Sequence, residues 1–164
     1  MPSIDHDKIS DIIRDVAADK IIPRFRNLKD HEVESKSSDK DLVTIADKEA
    51  EIELTRIFKS LYPGSQVLGE EAAYNKEVER EILNSDGLVW IVDPVDGTGN
   101  FRRGEEVFGT MVCLLSNGER VASWIYQIPK DRMITGEKGA GIRIDGSLFT
   151  AAPKIADDTS FGLM

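Results

Sequence analysis

The first part of the chain carries the hydrophobic spacing of an amphipathic helix. Apolar side chains recur three or four residues apart, which predicts a helix over about residues 4–22 that Pro23 helps to end. The stripe consists of Ile9, Ile12, Ile13, Val16 and Ala17. The least apolar stretch follows at residues 34–41, and we expect it to form a mobile surface loop.

A second helical pattern starts at Thr44, which is predicted to be the helix N-cap. Asp47 follows three residues later, in the manner of a capping box, and an apolar stripe then continues until Pro63-Gly64 ends the helix. The stripe consists of Ala50, Leu54, Ile57, Phe58 and Leu61. Asp47 lies on the same face, so a carboxylate is expected in the first turn of the side that packs inward.

Beyond residue 65 the pattern changes from helices to short strands. Residues 66–69 form one candidate, and residues 88–92 are apolar on both faces, as in a central strand that Asp93-Pro94 closes. Asn117-Gly118 between two β-rich runs is a strong hairpin signal. Further strands are expected near residues 133–135 and 142–144. Helices followed by an antiparallel meander predict an α+β fold, with two helices packed on one face of a mainly antiparallel sheet.

The charge balance excludes two classes of partner. The chain has 164 residues, 30 acidic against 21 basic side chains and a formal net charge of −9, whereas nucleic acids and anionic membranes need a basic surface. Residues 61–100 hold eight acidic and two basic residues, so most of the negative excess lies there. No apolar run approaches the roughly 20 residues of a membrane span. We therefore expect neither a nucleic-acid nor a membrane partner.

Cysteine and histidine are scarce, which limits the available chemistry. The single cysteine, Cys113, cannot form an internal disulfide, and this predicts a reducing, cytoplasmic location. The two histidines, His6 and His31, leave little support for histidine-based nucleophilic or zinc chemistry. Carboxylate oxygens are more abundant, especially in residues 61–100, so chemistry based on oxygen ligands is the better alternative.

The sharpest local feature is a pair of aspartates after an apolar strand. The strand brings Asp93 to its end, Pro94 forces the chain out of the sheet, and Asp96 follows after one further turn. Two hard carboxylates, with the carbonyl of Val95 between them, suit Mg²⁺ or Mn²⁺. A plain surface turn is the alternative, because Asp, Pro and Gly are ordinary turn formers.

Two neighbouring features extend this candidate site. If a helix begins at Gly97 and Thr98, their backbone N–H groups would face an anion such as phosphate. Glu70 stands at the end of another short apolar strand and could reach the same cation, whereas the adjacent Glu71 is assigned to solubility. Acidic cation ligands beside N–H donors are what phosphoryl chemistry needs.

Three motifs occur in order along the chain. They are Leu42-Val43-Thr44-x-x-Asp47, Gly69-Glu70-Glu71 and Trp90-x-x-Asp93-Pro94-x-Asp96-Gly97-Thr98-x-Asn100-Phe101. Together they resemble the N-terminal motifs of the inositol monophosphatase family, the Mg²⁺-dependent, lithium-sensitive sugar phosphatases. The resemblance covers nearly the whole chain, and it implies the N-terminal half of the layered αβαβα sugar phosphatase fold.

The resemblance also implies a set of metal ligands. Glu70, Asp93 and the Val95 carbonyl would hold a first Mg²⁺, and Asp93 and Asp96 would contribute to a second. Glu70 would also face a weaker third ion. The complete enzyme would thus carry two or three Mg²⁺ ions, with Mn²⁺ as a possible replacement.

For catalysis, the resemblance implies roles for Asp47, Glu70 and Thr98. Thr98, paired with Asp47, would help to activate the water that attacks phosphorus. Gly97 and Thr98 would contact the substrate phosphate, and Lys36 would lie on a mobile loop at the entrance. The implied function is the hydrolysis of inositol monophosphate, or a related sugar or polyol phosphate, by metal-activated water.

One part of the family pattern is missing. The family completes its second metal site with a Trp-Asp motif from a C-terminal α/β domain, and neither Trp90 nor Trp124 is followed by aspartate. We therefore predict that residues 1–150 form an N-terminal metal-binding domain and that residues 151–164 begin the C-terminal domain or a linker. The chain alone is expected to be inactive, and the full-length form is expected to be a homodimer.

Two kinds of alternative stay open. The same metal motif would serve a 3′-phosphonucleotidase, a fructose-1,6-bisphosphatase or a histidinol phosphatase, and Gly99 stands where inositol-type members often have threonine. The alternative from a different class is a non-catalytic or truncated module that binds a cation or a partner.

Overall fold

The amino-terminal segment forms the predicted first helix. Helix α1 spans His6–Val16, and Asp5 caps it, because the Asp5 carboxylate accepts a hydrogen bond from the Lys8 N–H at 3.0 Å. The chain continues as a π-helical turn over Ala17–Ile21 and a 3₁₀ turn over Ile22–Arg24. The helical path therefore covers the predicted residues, but its last turns change pitch.

The computed structural model describes residues 4–35, 42–76 and 80–150. The middle of the predicted surface loop, with Lys36, and residues 151–164 after the predicted domain boundary lie outside these ranges. The two ends of that loop form an antiparallel pair, β1 (Val33–Ser35) and β2 (Leu42–Thr44). This pair was not predicted, because three residues are too few to show the period-two pattern of a strand.

Helix α2 spans Ile45–Leu61 and begins at the predicted capping box. The Thr44 N–H donates a hydrogen bond to Asp47 Oδ2 at 2.8 Å. Asp47 is 1% exposed and lies on the same face as the buried Leu54 and Phe58, as the hydrophobic pattern predicts. Although α2 is long, no helix among the described residues has both the length and the apolar character needed to cross a membrane.

A seven-stranded sheet follows, in the order β3-β4-β5-β6-β7-β8-β9. Strands β3 and β4 are parallel, and the other neighbouring pairs are antiparallel, which confirms the mainly antiparallel α+β fold. The strands are β3 (Gln66–Gly69), β4 (Leu88–Asp96), β5 (Gly109–Ser116), β6 (Glu119–Gln127), β7 (Arg132–Glu137), β8 (Gly141–Ile144) and β9 (Ser147–Leu148). Two short helices, α3 (Glu70–Tyr74) and α4 (Thr98–Arg103), follow β3 and β4.

The predicted hairpin joins β5 to β6 through Asn117-Gly118. Both residues have positive φ, 51° for Asn117 and 77° for Gly118, as a type I′ turn requires. This turn type matches the twist of the two strands that it connects. The local sequence signal therefore predicted this connection correctly.

Strand β4 does not end at Asp93-Pro94, and this corrects the predicted strand boundary. It continues to Asp96 with a shift of register against β5 between Asp93 and Asp96. The neighbour β3 pairs with β4 only as far as Val92, so beyond that residue no partner on that side requires an N–H from Pro94. The Pro94 carbonyl accepts a hydrogen bond from the buried Thr110 hydroxyl at 2.8 Å, which holds the irregular segment against β5.

The core lies between the helices and one face of the sheet. Trp90, on β4, is fully buried, and its ring stacks on Phe58 of α2 with 4.3 Å between centroids and 15° between planes. Trp90 also lies near Trp124 of β6, with 5.9 Å between the ring centroids. These aromatic contacts join α2 to the centre of the sheet through β4, the strand that also carries Asp93.

We expect Trp90→Ala to lower the free energy of unfolding by about 3–5 kcal/mol, because it empties a large buried site between α2 and the sheet. Equilibrium unfolding in urea, followed by far-UV circular dichroism, measures the change. Ile52→Ala is the matched control, since Ile52 lies on α2 but is 69% exposed. If the two variants unfold at the same urea concentration, Trp90 does not anchor the core.

Candidate active site

The ends of β3 and β4 bring together two of the predicted ligands. In this parallel pair Gly69 lies opposite Val92, so Glu70, the first residue after β3, and Asp93, the next residue of β4, both follow this last pair. Glu70 is exposed at the start of α3, whereas Asp93 is half-buried in β4. The parallel register therefore places a carboxylate from each strand at the same edge of the sheet.

Asp93 lies in an environment that disfavours its negative charge. Burial, followed by Glu70, Asp96 and Asp47, raises the pKa of Asp93 to about 8. Its Oδ1 is buried, and within the described part of the chain no hydrogen bond reaches that atom. An oxygen of this kind, crowded by other carboxylates, is suited to a hard divalent cation.

Asp47 and Thr98 form the second part of the site. Thr98 Oγ1 lies 3.1 Å from Asp47 Oδ1 and 2.9 Å from the carbonyl oxygen of Val95. Burial raises the pKa of Asp47, against the opposing effect of its hydrogen bonds from Thr44 and Thr98. The first turn of α2 thus contacts the segment that carries Val95 and Thr98, and this contact accounts for the carboxylate on the inward face.

Gly97 makes the tight connection from β4 to α4. Its φ is 87°, and a Cβ there would lie 2.9 Å from the carbonyl oxygen of Val107, so both conformation and space favour glycine. Phe101 anchors α4, because its buried ring contacts Phe25 at 5.7 Å and Phe108 at 5.0 Å between centroids. The condition that a helix begins at Gly97 and Thr98 is met, because α4 starts at Thr98 with Gly97 as its N-cap.

The structure therefore gathers most of the predicted site residues around the ends of β3 and β4. They are Asp47, Glu70, Asp93, Val95, Asp96, Gly97 and Thr98. The carboxylates are neighbours, but among the described residues no three His, Cys, Asp or Glu side chains converge into a ready-made metal shell. Lys36, predicted at the entrance, lies outside the described residues.

Two further glutamates at this edge are buried, which the sequence did not predict. Glu71 is 5% exposed, so its assignment to solubility is wrong. Glu51 of α2 is 6% exposed and belongs to none of the three sequence motifs. A usable signal was present, because Glu51 lies four residues after Asp47 and therefore on the same face of the helix.

The fold and the site together define an α+β domain with an acidic candidate active site where two parallel strands end. The model of the inositol monophosphatase family matches residues 7–161, and the chain belongs to this family.

Individual comparisons agree with this assignment. Inositol-1-monophosphatase of Bacillus subtilis (strain 168) is 36% identical over 109 residues, which cover 66% of this chain and 39% of that protein. Inositol monophosphatase 1 of Sus scrofa is 34% identical over 119 residues, or 73% of this chain and 42% of that protein. The chain thus spans less than half the length of these curated relatives.

A solved structure supports the fold. The IMPase of Thermotoga maritima matches with a TM-score of 0.77 over 90% of this chain and 54% of that chain. The two sequences are 23% identical, so this likeness concerns the fold alone.

Proposed function

We propose that the complete protein containing this chain is a divalent-cation-dependent phosphatase acting on inositol monophosphate or a related sugar or polyol phosphate. The observation that carries the proposal is the 3.1 Å contact between Thr98 and Asp47, which joins residues 51 positions apart beside the carboxylates around Asp93. Family membership and the names of the two curated relatives support the same chemistry.

Glu70, Asp93, Asp96 and the Val95 carbonyl are the proposed cation ligands. The fit rests on the buried Asp93 Oδ1, because a cation would satisfy this oxygen and offset the repulsion from the neighbouring carboxylates. Oxygen donors of this type favour Mg²⁺, with Mn²⁺ as an alternative, and two or three ions are proposed for the complete enzyme. Bound Mg²⁺ neutralises charge on a phosphate and lowers the pKa of water.

Thr98 and Asp47 are proposed to orient the attacking water. When the Thr98 hydroxyl donates its proton to Asp47, its oxygen lone pairs stay free to accept a hydrogen bond from that water. The burial that raises the pKa of Asp47 also makes its carboxylate a better proton acceptor. The backbone N–H groups of Gly97 and Thr98 are proposed to bind phosphate oxygens, and Lys36 is proposed to lie at the entrance.

Metal removal tests this proposal directly. We expect the complete protein to release phosphate from inositol 1-phosphate in Mg²⁺, to lose this activity in excess chelator and to regain it when Mg²⁺ is restored. Fructose 1,6-bisphosphate and a 3′-phosphonucleotide, assayed in parallel, distinguish the family's other activities. Phosphate release that continues unchanged in chelator would contradict a cation-dependent reaction. Cation binding without turnover of any substrate would instead support the non-catalytic alternative.

Several broader expectations stay predictions. Residues 1–150 are proposed as the cation-binding domain, and the 164-residue chain alone is expected to bind Mg²⁺ weakly with little turnover. A homodimeric full-length protein and a cytoplasmic location are likewise predictions. Size-exclusion chromatography with light scattering tests whether the full-length protein is a homodimer.

A further inference from the structure

Glu51 contributes a buried carboxylate to the candidate active site without belonging to the proposed ligand set. It lies on α2, one helical turn after Asp47, and is 6% exposed. Its Oε2 accepts a hydrogen bond from the Glu71 N–H at 2.7 Å, and its Oε1 accepts one from the Ala72 N–H at 2.9 Å. Both carboxylate oxygens therefore hold the first turn of α3, which begins with Glu70.

The local sequence of α3 explains why this support comes from another helix. Its N-cap is Gly69, which has no side chain to accept the free N–H groups of the first turn. Gly69 also leaves the space that the glutamate occupies, since a Cβ there would lie 2.1 Å from Cδ of Glu51. Gly69 and Glu51 thus form a complementary pair at the point where β3 becomes α3.

Helix α2 consequently contacts both sides of the candidate site. Asp47 in its first turn meets Thr98, and Glu51 in the next turn holds the backbone that follows Glu70. We propose that Glu51 is a positioning residue for the cation site, which keeps Glu70 directed towards Asp93. This inference rests on the proposed cation-dependent function, because it assigns Glu51 no contact with substrate or ion.

Glu51→Gln is the sharpest test, because it keeps the size of the side chain but replaces one accepting oxygen with an N–H donor. That donor would face a backbone N–H of α3, so one of the two hydrogen bonds must be lost. Outer partners of metal ligands typically change metal affinity by about 10–100-fold, and we expect a loss in this range. Mn²⁺ is the probe, and electron paramagnetic resonance of the complete protein measures its binding.

Glu53→Gln is the matched control, since it makes the same change on the same helix at a surface ion pair with Arg56. We expect this control to bind Mn²⁺ as the unmodified protein does. Thermal unfolding monitors the fold of each variant. Should Glu51→Gln fail to fold, Glu51→Asp keeps the charge but shortens the reach, and it is expected to weaken Mn²⁺ binding in the same direction.

A double-substitution cycle separates positioning from a general loss of structure. If Glu51 acts through Glu70, Glu51→Gln added to Glu70→Gln should weaken Mn²⁺ binding little further. Two results would overturn the positioning role and leave the proposed function intact. One is a full additional loss of Mn²⁺ affinity when Glu51→Gln is added to Glu70→Gln. The other is a folded Glu51 variant that binds Mn²⁺ as tightly as the unmodified protein. An unmodified protein that binds no divalent cation would overturn both.

Discussion

Asp93→Asn is expected to lower phosphatase activity of the complete protein by several orders of magnitude. Burial and the neighbouring Glu70, Asp96 and Asp47 all raise the pKa of Asp93. This carboxylate is proposed to bind two cations. Asparagine keeps the shape of the side chain but removes the charge and one oxygen that a cation would use. The initial rate of phosphate release in saturating Mg²⁺ measures the effect.

The same substitution should not cost stability. In excess chelator, the neutral amide avoids the cost of burying an ionisable carboxyl group beside other carboxylates, so Asp93→Asn should unfold at the same or a higher urea concentration than the unmodified protein. Asp86→Asn is the matched control, because it makes the same change at an exposed position of the same acidic segment. Near-normal turnover by a folded Asp93→Asn protein would remove Asp93 from the cation site.

The features of the fold that the sequence predicts well depend on interactions between residues close together in the chain. The hairpin depends on the positive φ of Asn117 and Gly118, and the start of α2 depends on Thr44 and Asp47, which lie three residues apart. The aspartates after the apolar strand are also close in sequence, so their proximity required no knowledge of tertiary structure. Each of these predictions uses interactions within a few residues.

The parts that were missed depend on contacts between distant segments. Glu71 reads as a surface residue in the sequence, and its burial follows from the packing of α3 beside α2. The proposed role of Glu51 depends on the contact of its carboxylate with the backbone N–H of Glu71, 20 residues further along the chain. Strand β4 passes through Pro94 for a similar reason, because the end of β3 leaves that side of the strand without a partner.

Thr98→Ala is expected to reduce turnover by about a hundredfold or more while changing the Mg²⁺ concentration for half-maximal activity far less. The hydroxyl of Thr98 contacts Asp47 and the Val95 carbonyl, and it is proposed to orient water rather than to bind a cation. Removing it should therefore slow the chemical step more than it weakens ion binding. Initial rates across a Mg²⁺ titration give both quantities, and equal losses would reassign Thr98 to the cation site.

Two companion variants establish whether the effect belongs to the hydroxyl and its partner. Thr98→Ser keeps the hydroxyl and should restore most of the turnover that Thr98→Ala loses. Asp47→Asn should slow turnover as well, because the amide can no longer accept the Thr98 proton as a carboxylate does. If Thr98 and Asp47 act as one unit, the double variant loses little more than the worse single variant, whereas independent roles would multiply the two losses.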